Sequence, residues 1–215
     1  MIHVLSIDVG ILHFGLSETI LHPDYTIKEI RTISLTDITK FNHILDKCTL
    51  HHTKTIVDWM DHVIQDNQLL FDESTVILIE RQPFGPFTAI EQLLFSRFRN
   101  KAYLISPRNV HTYLNIGMLD YENRKNYSVK IASRFLTESN LQKMNSYERS
   151  HDIADSICMM LYWRNKKEME YQQKERSKKW LSILDTEGLN VFEKLERFRY
   201  VPLISRCVDS VKKDK

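Results

Sequence analysis

Glycine and proline are scarce, five of each in 215 residues. That excludes collagen-like and Pro/Gly-rich disordered architectures and leaves mostly regular structure joined by short connections. Cysteine is scarcer still. Cys48, Cys158 and Cys207 are odd in number, far apart and without a CxxC pair. Neither a zinc site nor a disulfide framework is indicated, and a reducing intracellular compartment fits best. No run approaches the roughly 18 apolar residues that span a bilayer, so no membrane partner is expected. The opening MIHVLSIDVG lacks a basic region before its apolar run and reads as a strand, not a signal peptide. Internal repeats and low-complexity tracts are absent, and the formal net charge is only +2.

What is present is a composition able to build a core: 42% hydrophobic and 27% charged residues, enough for one domain of ordinary size with an appendage. The charge is unevenly spread. Residues 1–96 carry a net −7, 97–134 a net +6, 135–163 a net −2 and 164–215 a net +5. Basic blocks alternating with acidic ones suit a phosphate-binding surface beside an acidic metal site, and equally suit solvated helix faces.

Hydrophobic periodicity gives the order of elements. Ile2–Asp8, His13–Ile20 and Tyr25–Ser34 read as three short strands of an antiparallel meander, with a turn at His22-Pro23-Asp24. Thr53–Leu70 has the three-and-four spacing of an amphipathic helix. Thr75–Glu80, TVILIE, is the continuous β-branched run of a buried central strand. A helix from Pro86 or Phe87 to Phe98 follows, its Ile90, Leu93, Leu94 and Phe98 stripe serving as core or as a dimer seam. Then come a strand at Ala102–Ile105 and helices at Arg124–Leu136 and Arg149–Trp163. The predicted fold class is α/β: a mixed five-stranded sheet flanked by helices, over residues 1–163. Residues 164–215 are predicted to be a charged, helical C-terminal extension.

Four acids stand at element ends: Asp8 closes the first strand, Glu80 closes the buried strand, and Asp152 and Asp155 open a late helix. The i, i+3 spacing puts the last two on one helical face. Carboxylates at the ends of apolar strands are costly unless paired or ligating a cation. Hard divalent ions such as Mg²⁺ take oxygen ligands and share phosphate oxygens. Two of them can activate water and stabilise a leaving oxygen in phosphoryl displacement. That chemistry needs several convergent acids and no nucleophilic side chain.

At these residues the chain resembles the RuvC-type resolvase branch of the RNase H-like nucleases. SIDVGILHFGLS is similar to that family's opening strand and Gly-turn, VILIERQP to its second acidic strand, and SHDIADSICM to its closing helix. ISPRNVHTYLN and YENRKNYSVKIASRFL resemble the segments between. The IERQ wording is similar to that of mitochondrial and large-DNA-virus resolvases, including the poxvirus type. The resemblance covers residues 2–163. It implies an RNase H-like fold, catalytic and metal-ligating roles for Asp8, Glu80, Asp152 and Asp155, and Mg²⁺ with Mn²⁺ as a substitute. It further implies four-way junction DNA as partner, paired nicks by a homodimer, and, for a viral protein, action where viral DNA replicates.

Other residues carry weaker signals. Arg97, Arg99, Lys101, Arg108, Arg124, Lys125, Lys130 and Arg134 are candidate phosphate contacts, which position DNA without reading sequence. Lys125 and Lys130, on one basic helix, are the favoured pair. Phe84, in the PFGPF loop after Glu80, either packs under the next helix or, as the resemblance implies, stacks on an unpaired base. His151 is a candidate metal ligand or proton carrier. His51-His52 is a weak metal signal with no evident third ligand. The rival readings are an RNase H-like nuclease acting on flap or RNA–DNA hybrid substrates, and a non-catalytic junction-binding protein. A sugar-kinase-like relative would need Gly-rich phosphate loops that five glycines poorly supply.

Overall fold

The computed structural model describes residues 1–42, 48 and 52–186. Five strands form one sheet in the order β3-β2-β1-β4-β5. β1 (Ile2–Asp8), β2 (Phe14–Leu21) and β3 (Ile27–Thr36) make the antiparallel meander. β4 (Val76–Glu80) and β5 (Ala102–Ile105) are added parallel to β1, each reached through a helical crossover. The mixed sheet read from the sequence is therefore the observed one. β1 and β4 are interior strands covered on both faces, which explains why their sequences are continuously apolar and not alternating.

Strand parity sorts the core into two layers. Leu5, Ile7, Ile77 and Ile79 point to a face packed by α1 (Ile56–Asp66) and α3 (Thr88–Arg97), with Met60, Val63, Ile90 and Leu94 fully or almost fully buried there. Val4 and Leu78 point to the other face, against Ile153, Ile157, Met160 and Leu161 of α7 (Ser150–Thr186). Ile90 and Leu94 thus belong to the core of a single chain, which resolves the choice between core and dimer seam for that stripe.

Several boundaries differ from the sequence reading, each for a local reason. The predicted helix over Thr53–Leu70 is two, α1 and α2 (Gln68–Glu73). Asn67 divides them: its backbone leaves the helical region, and its side-chain amide donates to the Val63 carbonyl at 2.9 Å. α1 also starts later, at a capping box in which Asp58 reaches back to the backbone around Thr55. α4 (Pro107–Tyr113), with proline in its first turn, and α6 (Glu138–Asn145) have no counterpart in the reading. At seven and eight residues they are too short to show a period. α5 begins at Tyr121 because Asp120 caps it, accepting from the Asn123 amide at 2.9 Å, and ends at Ala132 in a 3-10 turn.

The chain divides into two compact units, Met1–Glu168 and Met169–Lys215. The first holds the sheet and both core layers. The second is described over residues 169–186 only, where it is helical. Among the described residues no helix is long and apolar enough to cross a membrane.

Candidate active site

The strand register brings the first two acids together. Val4 and Leu78 share the α7 face, so by the two-residue period of a strand Asp8 and Glu80 do as well. Ile7 pairs with Ile79 across the parallel β1–β4 ladder, which sets Asp8 and Glu80 at adjacent positions one residue on. The other two acids arrive from above on the first turns of α7. A Cβ built on Gly15 would stand 2.7 Å from the Asp152 carbonyl oxygen and 3.4 Å from the Asp8 Cβ. Glycine is therefore needed there for α7 to settle on β2. A buried hydrogen bond of 2.8 Å from Ser156 to Ser17 fastens the same contact one turn further along.

The result is a compact acidic cluster. Carboxylate oxygens of Asp8, Asp152 and Asp155 lie within 4.8 Å of one another, and Glu80 is hydrogen-bonded to Asp8. Burial, then the charges of Glu80, Asp155 and Asp152, push the Asp8 carboxyl well above the usual range. Burial also raises Glu80, against the opposing hydrogen bonds from Asp8 and Gln82. Both carboxyls are thereby shifted toward the protonated form.

Basic residues complete the cluster. Lys125 Nζ is 2.6 Å from Asp155 Oδ2 and 3.8 Å from Asp152 Oδ1. Its burial disfavours the ammonium, but Asp155, Asp8 and Asp152 outweigh that and hold its pKa above the ordinary lysine value. Arg149 donates from Nε to Asp152 Oδ2 at 2.8 Å and from Nη2 to Oδ1 at 3.4 Å. Gln82 Nε2 donates to Glu80 Oε2 at 2.6 Å, and its backbone amide is held by Glu91 Oε2 at 2.5 Å. His151 Nε2 lies 3.2 Å from Asp152 Oδ1 without a hydrogen bond, and burial lowers its pKa.

An all-oxygen donor set at this density is the kind that hard divalent cations take. A carboxyl that burial and its neighbours keep from ionising is one that a cation would relieve. The four acids fit such an ion.

The structure scatters the remaining candidates. Phe84 is fully exposed, at 104% of its reference area, on the loop after Glu80, so packing under α3 is not its role; Phe87 is exposed too. Arg108 is exposed on α4 and Lys130 on α5. Arg124 donates to the Leu119 carbonyl at 3.2 Å. Lys125 faces the acids, whereas Lys130 faces solvent. Lys101 donates to the Phe71 and Ser74 carbonyls at 2.7 and 2.9 Å, holding the turn after α2, and Arg97 pairs with Asp61. Arg99 lies over the Phe95 ring at 5.6 Å. His51 lies outside the described residues. Gly15, Arg149 and Glu91 were not singled out by sequence reasoning. Only Arg149 left a local signal there, three residues before Asp152.

Comparison with known proteins places this geometry. The sequence model of a family described as poxvirus A22 protein matches residues 2–167. Comparison with curated protein sequences finds no match. Among solved structures, the chain is similar to the fowlpox virus resolvase in complex with its substrate Holliday junction DNA. The TM-score is 0.57 at 21% identity, over 77% of this chain and 98% of that one. The yeast mitochondrial Holliday junction resolvase gives 0.57 at 20% identity, over 83% and 85%. Thermus thermophilus RuvC gives 0.50 at 14% identity, over 77% and 96%. The fold is the RNase H-like fold of these resolvases.

Proposed function

The chain belongs to the poxvirus A22 protein family, and from that premise we propose that it is a Holliday junction resolvase, a metal-dependent endonuclease that nicks four-way DNA junctions. The observation that carries the reading is the convergence of Asp8, Asp152 and Asp155, with Glu80 bonded to Asp8, from two adjacent strand ends and one helix. The family match and the resolvases that share the fold, one of them solved with junction DNA, support the substrate. Residues 1–163, within the first compact unit, are the nuclease domain of this reading, and 164–215 are a charged C-terminal extension to it.

Asp8, Glu80, Asp152 and Asp155 would hold Mg²⁺ or Mn²⁺. When bound there, such ions supply an activated water and charge stabilisation for the leaving oxygen. The chain's own groups prepare that site. Arg149 fixes the orientation of Asp152, and Gln82, itself held by Glu91, fixes Glu80. Lys125 offsets the repulsion among the acids and would offer a cation beside them to a scissile phosphate. Arg108, Arg124 and Lys130 contact phosphates, and Phe84 fills the gap left by an opened base pair. The working unit is a homodimer, because a two-fold protein presents identical sites to the two equivalent strands of a junction. Within the host cell it acts where viral DNA replicates.

The test is incubation with Mg²⁺ and a labelled synthetic four-way junction, beside duplex, flap and RNA–DNA hybrid of the same sequence. Paired nicks at the branch of the junction alone are expected. Preferential cleavage of flap or hybrid would replace the substrate assignment while keeping the chemistry. Binding without cleavage in any divalent metal would remove the enzyme.

A further inference from the structure

On the α1 side of the sheet, away from the acidic cluster on the α7 face, three side chains of a different chemical class converge. His52 Nε2 and His62 Nε2 are 3.1 Å apart, and Cys48 Sγ is 3.3 Å from His62 Nε2. All three ligand atoms lie within 4.8 Å of one another. The imidazole rings are tilted by 45° with centroids 5.1 Å apart, so they meet nitrogen to nitrogen and are not stacked. His62 is buried, 1% exposed, on the inner face of α1; Cys48 and His52 are half-buried.

Proton bookkeeping shows what the arrangement lacks. His62 Nδ1 is 2.9 Å from the Phe41 carbonyl oxygen, an acceptor only, so Nδ1 carries the hydrogen. In neutral His62 the lone pair is then on Nε2, aimed at His52 Nε2 and Cys48 Sγ. A single lone pair on the buried His62 can accept from one of these half-buried neighbours, not both. A cation satisfies all three atoms together. A histidine that donates its far nitrogen to a backbone carbonyl while presenting the near one is in the posture of a metal-ligating histidine.

We infer that Cys48, His52 and His62 bind a structural zinc ion. Imidazole with thiolate is a donor set for zinc and a poor one for Mg²⁺. Tetrahedral zinc with ordinary bond lengths separates two nitrogens by roughly 3.3 Å, and a nitrogen from a sulfur by roughly 3.6 Å. The observed 3.1 and 3.3 Å are within a few tenths of an ångström of that. The ion would tether the connection between the 3-10 helix Ile38–Asn42 and α1 to the buried face of α1. Because only the folded chain presents the three ligands together, binding the ion stabilises the fold. This site is independent of the acidic cluster and of the reaction proposed for it.

The test uses the full chain. Zinc content after purification without added metal is expected at about one ion per chain. Replacement by Co²⁺ should give the intense d–d absorption of a tetrahedral site, with a thiolate-to-cobalt charge-transfer band. Cys48→Ser should abolish that band and weaken zinc binding at least about tenfold. His52→Gln should weaken it likewise without disturbing the buried His62. Asp8→Asn should leave both band and zinc content unchanged. Stripping zinc should lower the thermal midpoint, which Zn²⁺ restores and Mg²⁺ does not. A protein that takes up no zinc, a cobalt spectrum without the thiolate band, or zinc lost in Asp8→Asn but kept in Cys48→Ser would each overturn the inference.

Discussion

Gly15 and Asp152 meet backbone to backbone: a single added Cβ at Gly15 would stand 2.7 Å from the Asp152 carbonyl oxygen. The first two turns of α7 can deliver Asp152 and Asp155 to the ends of β1 and β4 only because β2 carries no side chain there. Gly15→Ala is expected to destabilise the fold by about 1–3 kcal/mol, as overpacking does. It should lower cleavage further than stability alone explains, because α7 must shift and carry Asp152 and Asp155 with it. Cleavage measured well below the thermal midpoint separates the two effects.

Lys125 and Lys130 should come apart experimentally. Lys125 is paired with Asp155 and Asp152, whereas Lys130 is exposed. Lys125→Ala should reduce the cleavage rate more than junction affinity. Lys130→Ala should reduce affinity for junctions of any sequence and flatten the salt dependence by about one unit of slope. Rates at saturating protein, with binding isotherms at several salt concentrations, distinguish them.

Phe84 is held out in solvent on a loop bounded by Pro83 and Pro86, which lowers the cost of ordering it against DNA. Base–aromatic stacking contributes about 1–3 kcal/mol. Phe84→Ala should therefore slow cleavage of intact junctions roughly 5- to 150-fold. Its folding stability should change by no more than about 0.5 kcal/mol. Junctions with unpaired bases at the branch should recover much of the rate. Equal losses on both substrates would contradict the stacking role.

The metal-free protein should show the strain of its own acids. Because the Asp8 carboxyl titrates well above the usual range when folded, the folded state keeps a proton that the unfolded chain releases near pH 3.9. The stability it contributes is present below that unfolded value and lost as pH rises through the folded one. In EDTA the wild-type thermal midpoint should fall across that window, and Asp8→Asn should remove the fall. At neutral pH the variant should be the more stable protein without metal, and Mg²⁺ should raise the midpoint of the wild type far more than that of the variant.

Much of the site was legible because its residues sit at element ends where apolar pattern and charge collide. Asp8 and Glu80 each end a buried strand, and Asp152 and Asp155 share one helical face. What the pattern could not carry was neighbourhood. Lys125 reads as one more surface cation on a basic helix, and only the packing of α5 beside α7 turns it toward Asp155. Gly15 looks like any strand glycine until α7 is laid across it. Cys48 and His52 precede the helical period that carries His62, ten positions beyond His52, so no pattern links the three. Short helices such as α4 escaped for the same reason: too few residues to repeat.

The most direct measurement is the single-turnover cleavage rate of a four-way junction in Mg²⁺ for the wild type, Asp8→Asn and Glu80→Gln, with junction affinity measured alongside. Paired nicks at the branch are expected from the wild type. Each variant should lose on the order of 10³-fold or more in rate while binding the junction at least as tightly, since a carboxylate lost near phosphates removes repulsion. Either variant cutting at close to the wild-type rate would show that the acids gathered by β1, β4 and α7 are not the catalytic centre.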